Sequence, residues 1–192
     1  MTSMRLVNGR MAAVVVATTL TATGCAAGSP PSSARDRPSI SLSGVPTSPS
    51  PSASSASAVQ AAVATYRGMW DAYDAAVQVP DPNSPDLRQY ATGSALQDLV
   101  KGLQSVKDQR LKGTGQIRLS PQVVEISPAS TPTKVGIKDC FDDSATHLVR
   151  VGPGSTYHDT AGGRRLCTAT VVLQADGSWK VTVYGLRDPG TC

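Results

Sequence analysis

The spacing of apolar positions changes several times along the chain. Met11 to Ala22 is one short, almost unbroken apolar run, and from Ala26 to Ala58 large apolar residues nearly vanish. Val59, Ala62, Val63, Tyr66, Trp70, Tyr73 and Val77 then recur mostly at three and four, which predicts an amphipathic helix over 59–78. Pro80 and Pro82 end it, because proline lacks the amide proton a helix interior needs. Ser84-Pro85-Asp86 places an N-cap, a first-turn proline and a dipole-favoured acid in order, opening a short helix to about Tyr90. Leu96, Leu99, Val100, Leu103 and Val106 mark the buried face of a third helix. Ser94 with Gln97 suits a capping box at its start, and Gly113 suits a left-handed stop.

Past Gly113 the period shortens toward two. Gln116–Ser127 carries Ile117, Leu119, Val123, Val124 and Ile126 around Pro121, and predicts one long strand, bent or bulged. Val135, Ile137 and Phe141 alternate with Gly136, Lys138 and Cys140, giving a strand at 134–142. A short strand at His147–Val151 interrupts a polar, Gly-rich stretch. Arg165–Gln174 is a β-branched run, Ala175-Asp176-Gly177-Ser178 a hairpin turn, and Trp179–Leu186 the last strand. Three helices followed by an antiparallel meander make an α+β domain, with the helices packed on one face of a curved sheet.

The chain begins with an address. Arg5 and Arg10 precede the apolar run, which is too short to span a bilayer and suits a secretory signal over residues 1–24. Leu20-Thr21-Ala22-Thr23-Gly24-Cys25 resembles the lipobox of bacterial lipoproteins, with Ala22 where leucine is usual. That resemblance implies cleavage before Cys25, diacylglycerol on its sulfur, and attachment to the outer face of the cell membrane. Two acyl chains suffice for stable anchoring where one does not. Residues 26–58 hold six Pro and twelve Ser among 33 positions. Such a segment buries too little apolar area to offset its ordering entropy, so residues 25–58 read as a lipidated cysteine and a disordered tether. The globular domain is then 59–192.

The helix–helix–helix–strand order of 59–192 resembles the nuclear-transport-factor-2-like cone fold. Tyr66…Trp70…Tyr73, Pro80-Asp81-Pro82-Asn83-Ser84-Pro85-Asp86-Leu87, Lys138-Asp139-Cys140-Phe141-Asp142, Gly163-Arg164-Arg165 and the final Cys192 also resemble small lipoproteins of high-GC Gram-positive (actinobacterial-type) bacteria. The cone-fold resemblance implies a pocket between the long helix and the sheet. Cone-fold enzymes place an Asp/His/Tyr set there, and no such set is matched residue by residue in this chain.

Composition narrows the function classes. The chain has 18 Lys+Arg, 14 Asp+Glu, a formal charge of +4 and a pI near 9.0, which invites a nucleic-acid reading. Arg5, Arg10, Arg35 and Arg37 lie in the signal and tether, however, and 59–192 carries 14 basic against 13 acidic residues. No nucleic-acid partner is expected of so neutral a domain. No phosphate-cradling glycine loop or CxxC spacing occurs, so no cofactor or metal is expected.

Export places the domain where disulfides form. In the meander, Cys140, Cys167 and Cys192 come to one edge of the sheet. Cys140–Cys192 is the favoured bridge, because it pins the C-terminal tail. Cys167–Cys192 is the rival; otherwise Cys167 is a buried free thiol. Tyr66, Trp70 and Tyr73 share one helical face and are either plain core or the wall of a pocket for an apolar ligand. Asp139, Asp142 and Asp143 read as a solvated strand end. His158-Asp159, with His147 upstream, makes a poor catalytic dyad, and Arg164-Arg165 reads as a charged strand edge. The expected function is a lipid-anchored domain that binds a small apolar ligand or an envelope protein without catalysis. The alternatives are a cone-fold isomerase, dehydratase or hydrolase, and a purely structural or assembly domain.

Overall fold

Helix α1 runs Ala53–Gln78, six residues longer at its start than the apolar spacing predicts. No proline falls between Pro51 and Pro80, and Ala53, Ala56 and Ala58 favour helix, so the serines there do not break it. Ser55 is buried, and its hydroxyl donates to the Ala129 carbonyl at 2.8 Å. Residues 53–58 therefore belong to the domain and not to the tether. The computed structural model describes residues 53–154 and 156–192; the expected signal over 1–24, Cys25 and the expected tether up to residue 52 lie outside the described residues.

Helix α2 (Pro85–Tyr90) starts behind Ser84, which sits at the N-cap without making a side-chain capping bond. Helix α3 (Gly93–Asp108) opens differently from the expected capping box. Thr92 is its N-cap, and the Ser94 hydroxyl donates to the Thr182 carbonyl at 3.2 Å. The start of α3 is thereby stitched to a strand, with Thr92 N–H donating to the Val181 carbonyl at 2.9 Å. At its other end α3 stops at Asp108, and Arg110 takes the left-handed conformation (φ 53°) that turns the chain. Gly113 is not the stop. It lies in strand β1 (Leu111–Thr114), where a Cβ would come within 2.6 Å of Val77 Cγ1. The glycine is needed for close approach to α1, not for its conformational freedom.

Four strands form the main sheet in the order β2 (Gln122–Ser127), β3 (Lys134–Asp142), β5 (Arg164–Leu173) and β6 (Trp179–Leu186), all antiparallel. β2 is only the second half of the predicted long strand. Pro121 ends regular pairing before it, and only Arg118 bridges back to Asp142. β4 (His147–Arg150) leaves the meander and pairs with β1 as a separate two-stranded sheet. The class is α+β as expected, with three helices laid on a curved antiparallel sheet in the manner of a cone. Tyr66, Met69, Leu87, Leu99 and Leu103 from the helices meet Val135, Ile137, Val171 and Val181 from the sheet, each at most 1% exposed. This buried set fills the cone at the far end of β3 from Phe141.

Candidate functional site

The inner face of the sheet changes character along its length. On β3 it reads Val135, Ile137, Asp139 and Phe141, and on β5 Val171, Ala169, Cys167 and Arg165. The positions near the end of β3 and the start of β5 are thus aromatic and charged where the others are aliphatic. Beside them the cone is open. A cavity of about 490 Å³ lies between α1, β1, the end of β3 and the 159–162 segment.

Its apolar wall comes from Trp70, Tyr73 and Val77 of α1, Val106 of α3, Phe141 of β3 and Tyr184 of β6. Trp70 is the centre of this wall: its ring centroid lies 4.7 Å from Phe141, 5.1 Å from Tyr184 and 6.0 Å from Tyr73. Burial pushes the Tyr73 hydroxyl above the ordinary phenol range, with the nearby Asp74 carboxylate adding to it. Burial does the same to Tyr184. Both phenols are neutral near pH 7, so the wall is uncharged.

Of the three residues proposed for ligand contact, Trp70 and Tyr73 line the cavity and Tyr66 stands outside its lining. Tyr66 is fully buried, and its hydroxyl donates to Asp139 Oδ2 at 2.9 Å. Asp139 is no part of a solvated strand end: it is 1% exposed, and its other oxygen accepts the Ser120 N–H at 2.6 Å. Cys167 faces Asp139 across β3 and β5, is buried and unbridged, and has its thiol pushed up to about 11 by burial. A thiol so protonated is a poor nucleophile. The expected Cys140–Cys192 bridge is present, with the two Cα atoms 5.8 Å apart. It fixes a tail whose Pro189 forms part of the cavity rim.

The polar rim is not legible in the sequence as a site. Asp143 accepts the Gly163 N–H at 2.6 Å, and both its oxygens face Arg165 Nη2, at 3.0 and 3.1 Å. Arg165 is therefore an inner, paired residue rather than edge protection. Asp159 pairs with His147 and not with its chain neighbour His158; the Nδ1–Oδ2 distance is 3.7 Å. That is longer than a hydrogen bond. The same Asp159 oxygen accepts the Leu148 N–H at 2.9 Å, so the carboxylate's role is to fasten the 156–163 segment to β4. A general base oriented by a carboxylate is not built here. Asp74 accepts the Ile117 N–H at 2.9 Å, and burial raises its carboxyl above the usual range, with Asp71 adding to the shift. Two residues of the lining, Trp70 and Arg165, each hold a buried donor, Nε1 and Nε, with no hydrogen-bond partner among the described residues.

No protein-family model and no curated protein matches the chain. Among solved structures it is similar to the intermembrane space region of the chloroplast protein ARC6, at 12% identity and a TM-score of 0.46, covering 66% of this chain and 94% of that one. It is also similar to a ketosteroid isomerase-like protein from Erwinia carotovora atroseptica SCRI1043, at 14% identity and a TM-score of 0.42, covering 68% and 96%.

Proposed function

We propose that this protein is a lipid-anchored, extracytoplasmic binding domain that holds a small, mainly apolar molecule in its cavity without transforming it. The observation that supports the reading is the cavity itself: about 490 Å³, open, walled by aromatic rings and edged by a few fixed polar groups. Sites of this size and lining suit ligands whose apolar body is desolvated while one end stays polar. The loose His147–Asp159 contact favours binding over acid–base chemistry.

Native mass spectrometry of the protein from its own host is expected to reveal a co-purifying small molecule. Ala161 is exposed and lines the cavity mouth, so Ala161→Trp fills space without disturbing the core. That variant should lose the adduct while keeping the melting temperature of the ligand-free wild-type protein. An unliganded wild-type protein that also takes up no apolar probe would end the reading.

The anchor rests on the expected signal and on Cys25, which lie outside the described residues. Cys25→Ala is expected to abolish acylation and release the chain from the membrane fraction. Unchanged processing and unchanged membrane association in that variant would refute the anchor.

A further inference from the structure

We propose that the ligand's polar end is an uncharged oxygen acceptor, of the ester or amide carbonyl kind, received by Trp70 and Arg165. The proposal rests on the reading that the cavity binds a ligand. Trp70 is 2% exposed, and its indole N–H has no acceptor among the described residues. Arg165 gives Nη2 to Asp143, while its buried Nε–H likewise has none. Buried donors are almost always paired, since an unpaired one keeps its full desolvation cost. Arg150, which holds a third such donor at Nε, is not in the cavity lining, so among the described residues two of the three belong to residues that line this one cavity.

Phe141 joins the two donors. It sits directly across from Arg165 in the β3–β5 pairing, and its ring lies 4.7 Å from that of Trp70. Phe141 is thus a neighbour of both residues at the boundary between apolar wall and polar rim. The proposed acceptor enters over that ring and takes up the two orphan donors as the side chains settle around it.

Charge in the lining selects a neutral group. Its carboxyl side chains are Asp74, Asp143 and Asp159, against Arg165 and the His147 imidazole. An anionic head would meet a guanidinium already neutralised by Asp143, with two further carboxyl groups nearby. A cationic head would bring donors to two side-chain groups that can only donate. Asp74 is a weak counter-ion for it, because burial disfavours its charged form and Ile117 N–H already occupies one oxygen. An uncharged carbonyl meets neither objection.

The test compares methyl octanoate, octanoate and octylammonium, each below its aggregation limit at pH 7. Calorimetry follows their binding to the full-length chain carrying Cys25→Ala. The ester is expected to bind at least about tenfold more tightly than either charged probe. Trp70→Phe keeps a ring and removes the N–H; Arg165→Lys keeps the charge and removes Nε–H. Each should weaken the ester about tenfold and leave the charged probes within about twofold. Equal or tighter binding of octanoate or octylammonium overturns the proposal, as does a uniform loss across all three probes in both variants. Failure of every probe to bind the parent chain overturns the ligand-binding reading itself, a result distinct from a wrong order of heads.

Discussion

Replacing Cys140 and Cys192 together by serine is expected to cost the domain about 4 kcal/mol of stability. The two cysteines are 52 positions apart, and closing a loop of that length removes entropy from the unfolded chain worth about this much at 25 °C. Changing both avoids a leftover thiol that could exchange with Cys167. The bridge also has a local effect that loop entropy does not describe. Beyond β6 the tail is held by Arg187 N–H to the Leu166 carbonyl, Gly190 N–H to the Arg164 carbonyl, and Leu166 N–H to the Thr191 hydroxyl. The tail is exposed from Arg187 to Cys192, so each bond is worth only about 1 kcal/mol. Without the bridge the tail should fray first, taking Pro189 away from the cavity rim. Urea unfolding checks the global effect. Amide exchange at Leu166, Arg187 and Gly190 checks the local one, with faster exchange expected there before the core opens. A loss below about 1 kcal/mol with unchanged protection at those amides would show that the bridge constrains neither the unfolded chain nor the tail.

How much of the fold is legible in the sequence depends on the range over which each feature is decided. β3 and β6 have the predicted boundaries: on β3 alternation over nine residues is a local signal, while β6 is set off by its hairpin turn and a bulge breaks its alternation after Val181. Proline makes the helices equally readable at one end each: Pro80 stops α1 just after Gln78, and Pro85 opens α2. β1 escapes the pattern because Leu-Lys-Gly-Thr offers a single large apolar residue, and its partner β4 lies more than thirty residues away. Gly113 misleads for the same reason: the atom that excludes its side chain belongs to Val77, on another element.

The candidate site divides the same way. Trp70 and Tyr73 follow from helical spacing, but the same spacing includes Tyr66, and only the packing tells wall from core. Asp139 is different, since its neighbours suffice to place it. Val135, Ile137 and Phe141 define the inner parity of β3, and position 139 shares it, so the alternation alone implies burial. Grouping Asp139 with Asp142 and Asp143 as one acidic cluster hides that parity. Arg165 shares the parity of Cys167, Ala169 and Val171 on β5, but its place across from Phe141 is set by the β3–β5 register. The attachment of Asp159 to Leu148 and its closeness to His147 are set by tertiary folding of a Gly-rich segment, and no period announces them.

Asp139 carries the second large expectation, and its sign is unusual. Its two oxygens satisfy the Tyr66 hydroxyl and the Ser120 N–H inside the core. Asp139→Ala removes both acceptors at once and leaves a small void, so it should cost about 3 kcal/mol. Asp139→Asn is nearly isosteric but has one acceptor oxygen for two donors, and about 1–2 kcal/mol is expected. The pH dependence separates charge from packing. Burial raises the Asp139 carboxyl above the ordinary range, and the bonds from Ser120 and Tyr66 only partly oppose this. The folded state therefore holds this proton to higher pH than the unfolded chain does. The stability it contributes is full below the unfolded carboxyl's range, near pH 4, and is lost as pH rises through the folded value. Asp74, also raised by burial, acts in the same direction. Asp142 and Asp176, held low by hydrogen bonds from Ser144 and Ser178, act in the opposite one. The asparagine variant keeps every group except Asp139, so the difference between its stability and that of the wild type isolates this carboxyl. Urea unfolding from pH 4 to pH 8 should show the wild-type advantage shrinking as pH rises. Parallel curves would mean that Asp139 titrates alike in both states, and an advantage that grows with pH would mean that the Ser120 and Tyr66 bonds outweigh burial.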